Sequence, residues 1–246
     1  MTDPIVERLR AAGCVFAEDE AAIILSSATT PDELERMVAQ RVEGVPLEIV
    51  VGWAELGGIR FVVSPGVFVP RRRTEFLVEL GRALSPAVVL DLCCGSGAVG
   101  AAIGAAELHA TDIDPVAVEC ARRNVTGSVY LGDLFDPLPA SLAGRVDLIT
   151  LIAPYVPTDE IALLPREARL YEPAVTLDGG VDGLAIVRRV AAEAAQWLAP
   201  GGTLLTEVSE QQAPLAVALF EAGGLRSRVA TDDDRWATVV VATVAP

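Results

Sequence analysis

Gly95, Gly97 and Gly100 follow the run Asp91-Leu92-Cys93-Cys94, with Ser96 between the first two, and lead into a stretch with helical composition. Glycines at this spacing permit a tight turn and let a ligand approach the backbone closely. Taken alone the pattern suits a dinucleotide site as well as others, or a turn that merely needs glycine. Asp112 closes the next apolar run, where a carboxylate can accept two hydrogen bonds from ribose hydroxyls, a role common to nicotinamide-dinucleotide and S-adenosylmethionine sites. Asp114, beside Pro115, has the spelling of a helix N-cap. A third run ends in Gly132-Asp133-Leu134-Phe135, where Asp133 can accept from an adenine amino group and Leu134 can lie against the base. A fourth ends in Ile152-Ala153-Pro154-Tyr155, a proline-stiffened loop closing on an aromatic ring. Such a loop beside a cofactor cleft suits a flat acceptor group; the plain alternative is a turn with its ring in the core.

These tips need strands to carry them. Val88-Val89-Leu90 is continuously apolar, as in a strand buried on both faces. From there the chain alternates: helix over 98–106, strand over 108–113, helix over 115–124, strands over 129–131 and 146–152, helix over 181–198, strand over 203–208, helix over 211–222, and two closing strand-like runs over 226–230 and 237–244. Such alternation predicts an α/β fold with a mostly parallel sheet covered by helices on both faces, and ligands bind such sheets at the carboxyl ends of their strands. The first part differs in texture. Ile5, Val6, Leu9 and Ala12 share a helical face, 19–25 forms a second piece, and Thr30-Pro31-Asp32-Glu33 opens a third. From Leu47 to Val69 the pattern turns extended, with Glu48-Ile49-Val50-Val51, a Gly57-Gly58 turn and Ile59 to Val63 predicting a β-hairpin. The expected organisation is a helical domain over 1–46, a hairpin linker over 47–70 and a cofactor-binding domain over 71–246.

Composition excludes several chemistries. All 19 basic residues are arginine, so neither a Schiff-base lysine nor a phosphate-loop lysine exists. One histidine (His109) and four cysteines, none in C-x-x-C spacing, argue against a zinc site, so no metal is expected. A net charge of −15 argues against nucleic-acid or anionic-membrane partners, which need a basic field. Arg71-Arg72-Arg73 is the local exception, and for Arg72 and Arg73 a solvated basic turn is the expectation. The start of the chain lacks the basic and apolar regions of a secretory signal, no apolar run approaches the roughly 20 residues of a membrane span, and the cysteines form no disulfide framework, so a cytoplasmic setting is expected.

Asp91-Leu92-x-x-Gly95-Ser96-Gly97, Asp112, Gly132-Asp133 and the Pro154-Tyr155 loop together resemble the class I S-adenosylmethionine-dependent methyltransferases, with their Rossmann-like sheet and antiparallel C-terminal strand. More narrowly, the chain resembles the HemK/PrmC protein-(glutamine-N5) methyltransferases. The likeness is carried also by Arg41-Val42-x-Gly44-x-Pro46-Leu47 with Gly52-Trp53, Phe68-Val69-Pro70-Arg71-x-x-Thr74-Glu75, Glu172-Pro173-Ala174, the glycine-rich 177–184 and Leu198-x-Pro200-Gly201-Gly202. The resemblance implies S-adenosyl-L-methionine as cofactor and S-adenosyl-L-homocysteine as product. Asp91 and Cys93 through Gly97, with Cys94 and Ser96 between them, would wrap its methionine end; Asp112 would hold the ribose and Asp133 with Leu134 the adenine, with Arg71, Thr74 and Glu75 near the cleft. It implies a protein acceptor such as a release factor, docked in part by the helical region, with a small-molecule acceptor as the alternative.

One loop departs from the family at two positions. Its acceptor loop reads Asn-Pro-Pro-Tyr, and its asparagine hydrogen-bonds the amide being methylated; here the first two positions are Ile152 and Ala153. Isoleucine neither donates nor accepts. The expectation is therefore a glutamine-methyltransferase-like enzyme with a weakened amide site, against a small-molecule N- or O-methyltransferase or an inert cofactor binder on the same scaffold.

Overall fold

The computed structural model describes residues 3–164 and 166–245, so Met1 and Thr2, part of the leader reading, lie outside it. The chain opens with α1 (Pro4–Ala11), α2 (Ala17–Ser27) and α3 (Pro31–Val42). Asp3 caps α1, accepting from the Ile5 N–H at 2.8 Å, and Thr30 caps α3, accepting from the Glu33 N–H at 3.2 Å. Both caps satisfy helix-end donors ahead of a proline suited to the first turn. Leu9, Ile24, Val38 and Val50 bury together between these helices.

Residues Leu47–Val51, expected to be extended, instead form a short helix, α4. The β-branched run misleads because Pro46 starts the helix and Gly52, at φ +78°, stops it, while Val50 gains burial in the helical cluster. The hairpin is confined to β1 (Trp53–Leu56) and β2 (Ile59–Val62), paired antiparallel. Gly57 and Gly58 both take positive φ, +59° and +77°, as a two-residue hairpin turn requires.

Beyond α5 (Thr74–Ala83), a helix the sequence pattern did not reveal, the expected alternation appears: β3 (Val88–Leu92), α6 (Ala98–Ile103), β4 (Glu107–Asp112), α7 (Pro115–Asn124), β5 (Ser128–Leu131), β6 (Val146–Leu151), α8 (Arg166–Tyr171), α9 (Ala185–Trp197), β7 (Leu198–Glu207), α10 (Ala213–Ala222), β8 (Arg226–Asp232) and β9 (Ala237–Thr243). Helix α9 starts four residues later than expected, because Asp178 through Gly183 make tight turns instead. The seven strands lie in the order β5-β4-β3-β6-β7-β9-β8, parallel from β5 to β7, with β9 antiparallel to both its neighbours. This is the Rossmann-like sheet with a reversed C-terminal strand. Among the described residues no helix is long and apolar enough to cross a membrane.

Strand alternation divides the core. Leu90, Leu92, Ile149 and Leu151 pack on one face with Val187, Val190 and Phe220; Val89, Leu148 and Leu205 pack on the other with Leu77, Val78 and Val99. Each such buried side chain contributes about 1.5–3 kcal/mol of transfer free energy. Strand order reverses between β3 and β6, which opens a crevice at their carboxyl ends.

Candidate active site

The turn after β3 is built on left-handed backbone: Cys93 at φ +53°, Gly95 at +56° and Gly97 at +75°. A Cβ on Gly97 would stand 2.5 Å from Val125 Cγ2, whereas one on Gly95 would meet nothing nearer than the Phe68 carbonyl at 4.0 Å. Gly97 is therefore required by packing, and Gly95 leaves backbone open for a ligand to approach. Asp91 holds the turn from below, accepting from the Gly100 N–H at 3.0 Å and the Thr150 hydroxyl at 2.8 Å. Burial pushes its carboxyl up to about 7 against those two stabilising bonds. Asn124 joins the hairpin to the same turn: its side-chain amide donates to the carbonyls of Val62 and Ser96 at 2.9 Å, and its oxygen accepts from the Val62 N–H at 2.8 Å.

Asp112 stands at the tip of β4, accepting from the Gly95 N–H at 2.8 Å and the Asp114 N–H at 2.9 Å. Burial raises its pKa, and each carboxylate oxygen has a further lone pair for a hydroxyl donor. Asp114 caps α7, accepting from the Val116 N–H at 2.8 Å, as its spelling predicted. After β5, Asp133 pairs with Arg189 at 2.8 Å, and Leu134 is buried at φ +48°. Burial and the nearby Asp91 and Asp112 carboxylates push both the Cys93 and Cys94 thiols upward, which leaves neither as a thiolate nucleophile. Ser96 Oγ and Thr111 Oγ1 are buried without a hydrogen-bond partner, and both residues line the cavity described below. They are spare polar groups of the kind a nucleoside or amino-acid ligand would engage.

The loop after β6 is stitched to the segment that follows α8. Val156 N–H donates to the Leu177 carbonyl at 3.1 Å, Gly179 N–H to the Val156 carbonyl at 2.9 Å and Thr158 N–H to the Gly180 carbonyl at 3.0 Å. Gln212 donates its side-chain amide to the Tyr155 and Asp182 carbonyls at 2.8 and 3.1 Å. Gly183 lies so close to the Tyr155 carbonyl that a side chain there would collide with it. Ile152 is half-buried, packed on the α5–α6 side of the sheet, and Ala153 and Pro154 continue along the cavity wall. The Tyr155 ring is not in the core but lines the cavity.

The β6–β7 register pairs Leu151 with Thr206, so Ile152 stands beside Glu207 at the adjoining strand tip. Glu207 is buried, accepting from the Thr74 hydroxyl at 2.9 Å and from Arg73 Nε at 2.5 Å. Arg73 also lies over the Tyr155 ring, 5.2 Å from its centroid. The expectation of a solvated basic turn therefore fails at Arg73, because a buried carboxylate far along the chain captures it. One guanidinium nitrogen of Arg71 is ion-paired with Glu172 and the Thr74 hydroxyl donates to Glu207, and both residues line the cavity.

All of these tips meet around one cavity of about 1050 Å³, which takes in Gly95, Ser96, Asp112, Asp133, Leu134 and the loop 152–155. Phe16 and Ile23 reach it from α2 and its approach, and the exposed Trp236 stands on its rim. Sequence reading missed Glu207, Gln212, Arg189 and Trp236. Glu207 was within reach, because it ends a strand just as Asp112 does; the other three show no local signal.

The profile of the family described as ribosomal protein L11 methyltransferase (PrmA) matches residues 77–130. The release factor glutamine methyltransferase of Geobacter sulfurreducens is 38% identical over 208 residues, spanning 79% of this chain and 72% of that protein. A 4-amino-L-phenylalanine/4-methylamino-L-phenylalanine methyltransferase of Streptomyces pristinaespiralis is 32% identical over 232 residues, spanning 88% of this chain and 78% of that one. The crystal structure of a ribosomal protein L11 methylase from Lactobacillus delbrueckii subsp. bulgaricus superposes with a TM-score of 0.52 at 17% identity, over 74% of this chain and 84% of that chain, which shows a common fold. With identity of this order over most of both chains, the protein belongs to the release factor glutamine methyltransferase family, within the S-adenosylmethionine-dependent methyltransferases.

Proposed function

We propose that this chain methylates a nitrogen acceptor held at the loop 152–155, with a protein glutamine amide as the acceptor class and an amide-binding position weakened by Ile152. The observation that supports this reading is the convergence of Gly95, Asp112, Asp133 and the loop 152–155 on one cavity. S-adenosyl-L-methionine, when bound, supplies a methyl group activated on a sulfonium and leaves as S-adenosyl-L-homocysteine.

The rest falls to the protein's own residues. The backbone of Cys93 through Gly97, open at Gly95, with Cys94 held inside the turn and Ser96 offering its hydroxyl, would take the methionine end, and Asp91 fixes that turn. Asp112 accepts the ribose hydroxyls. Asp133 takes the adenine amino group, oriented by Arg189, and Leu134 backs the base. Arg71 and Thr74 shape the wall through their contacts with Glu172 and Glu207. At the acceptor end Pro154 and Tyr155 fix the loop, and catalysis rests on alignment and exclusion of water. An amide nitrogen is a poor nucleophile unless its N–H groups are accepted as it pyramidalises, and Ile152 leaves at most the Ala153 carbonyl for that work.

We assign α1 to α4 to an acceptor-facing unit, residues 52–70 to a connector and 71–246 to the cofactor-binding unit. A release factor is the partner this reading favours.

A second reading, an aromatic amine on a small molecule, is favoured by the apolar Ile152 beside Tyr155 and by the likeness to an enzyme named for 4-amino-L-phenylalanine. Such an amine needs less help than an amide. Side-by-side turnover of a Gly-Gly-Gln peptide and of 4-amino-L-phenylalanine with labelled cofactor separates the two. Methylation of the peptide alone supports the first reading, methylation of the amino acid alone the second.

A further inference from the structure

Arg73, the third member of the arginine triplet, has no part in the function described so far and makes contacts that a basic surface turn does not. Arg73 precedes α5 and is only about one-third exposed, at 34% of its side chain. Its Nε donates to Glu207 at 2.5 Å; Glu207 is 4% exposed and accepts on its other oxygen from the buried Thr74. A carboxylate this deeply placed holds its partner in one geometry, because leaving it unpaired is costly. Held so, the guanidinium carbon lies over the Tyr155 ring, 5.2 Å from its centroid, within the range of a cation–π contact. The backbone of Tyr155 is held through its carbonyl by Gln212. The loop is thus clamped at one residue from two elements distant in sequence, beside the position where Ile152 supplies no polar anchor.

We infer that Arg73 is a positioning residue: anchored on Glu207, it sets the Tyr155 ring against the incoming acceptor. The inference rests on the reading of 152–155 as the acceptor loop. Among the described residues Arg73 has no hydrogen bond or ion pair to the Gly95 turn or to Asp112, so cofactor affinity is expected to hold when it is changed. Loss of its charge strips a partner from the buried Glu207 and is expected to lower global stability, read separately by urea denaturation.

The test uses the full-length chain with S-adenosyl-L-homocysteine bound and compares wild type, R73K and R73Q by hydrogen exchange. The peptide covering 153–160 reports the amides of Val156 and Thr158. R73Q is expected to speed exchange there roughly five-fold, the scale of one partly exposed cation–π contact, with R73K in between and the peptide covering 88–97 unchanged. In a Y155L background, R73Q is expected to add nothing. On whichever of the Gly-Gly-Gln peptide and 4-amino-L-phenylalanine wild type methylates, R73Q is expected to lower kcat several-fold while the KM for S-adenosyl-L-methionine stays put. Unaltered exchange in R73Q, or equal effects of R73Q with and without the Tyr155 ring, overturns the clamp. Faster exchange with kcat unchanged overturns the acceptor-loop assignment instead and leaves the clamp as a purely structural contact. A matched fall in cofactor affinity overturns the positioning role.

Discussion

Replacing Ile152 by asparagine puts the central chemical argument at risk. The side chain stands at the tip of β6, half-buried against the α5–α6 side of the sheet, with Glu207 beside it on β7. An asparagine there would offer the acceptor amide one carbonyl and one N–H, two hydrogen bonds worth about 1–1.5 kcal/mol each. If both are realised in the transition state, kcat/KM on an amide acceptor rises about 30- to 150-fold. The exchange has a cost, since a half-buried isoleucine gives up about 1–2 kcal/mol of burial, which a lower melting temperature would report. The assay is incorporation of labelled methyl into a Gly-Gly-Gln peptide, with I152V as the apolar control. A gain under three-fold for I152N, or a wild type already as fast as I152N, would refute the reasoning about this loop.

Three further outcomes follow from the geometry. G97A sets a Cβ 2.5 Å from Val125 Cγ2 at φ +75°, which is expected to cost about 2–4 kcal/mol in unfolding free energy, read by urea titration; a loss below 1 kcal/mol would contradict the packing argument. Asp91 is raised from 3.8 to about 7, so its contribution to stability is present below its unfolded value and is lost as pH rises to 7, about 4 kcal/mol in all at about 1.4 per unit. Denaturation of D91N between pH 4 and 7 should therefore decline less steeply than wild type, Asp112, also raised by burial, leaving a residual slope in both; parallel curves would contradict it. Q212L removes the donor shared by the Tyr155 and Asp182 carbonyls and is expected to lower methyl transfer about ten-fold with cofactor affinity unchanged, the Tyr155 bond alone being worth about 1–1.5 kcal/mol; unchanged turnover would count against it.

How far the sequence reached depends on the range of the physics involved. The strand tips at Asp91, Asp112, Asp133 and Ile152 were legible because each βα unit is local: an apolar run, a polar tip, a turn, a helix. The helix starts at Thr30 and Asp114 were legible for the same reason, whereas the cap at Asp3 was not read from the sequence. Residues 47–51 were misread because β-branched side chains favour strands only when nothing else decides; here Pro46, Gly52 and burial of Val50 decide. Helix α5 escaped because the arginines before it read as a turn and drew attention from Leu77 and Val78. Arg73 was misjudged because its partner, Glu207, is 134 positions away and meets it only once β7 lies beside β6. The braces on Tyr155 from Gln212 and Gly183 are likewise tertiary, and no local pattern encodes them.

The account stands or falls on whether the tips of β3, β4 and β5 bind an adenosyl ligand through Asp112. Calorimetric titration of S-adenosyl-L-homocysteine into wild type and D112N tests this most directly. The carboxylate already accepts from the Gly95 and Asp114 N–H groups, so the amide turns an N–H donor toward one of them and surrenders ribose bonds as well. The account predicts saturable binding to wild type, weakened about 10- to 100-fold in D112N, a loss of about 1.5–3 kcal/mol. Absence of heat with wild type, or equal affinity for the two proteins, would contradict it.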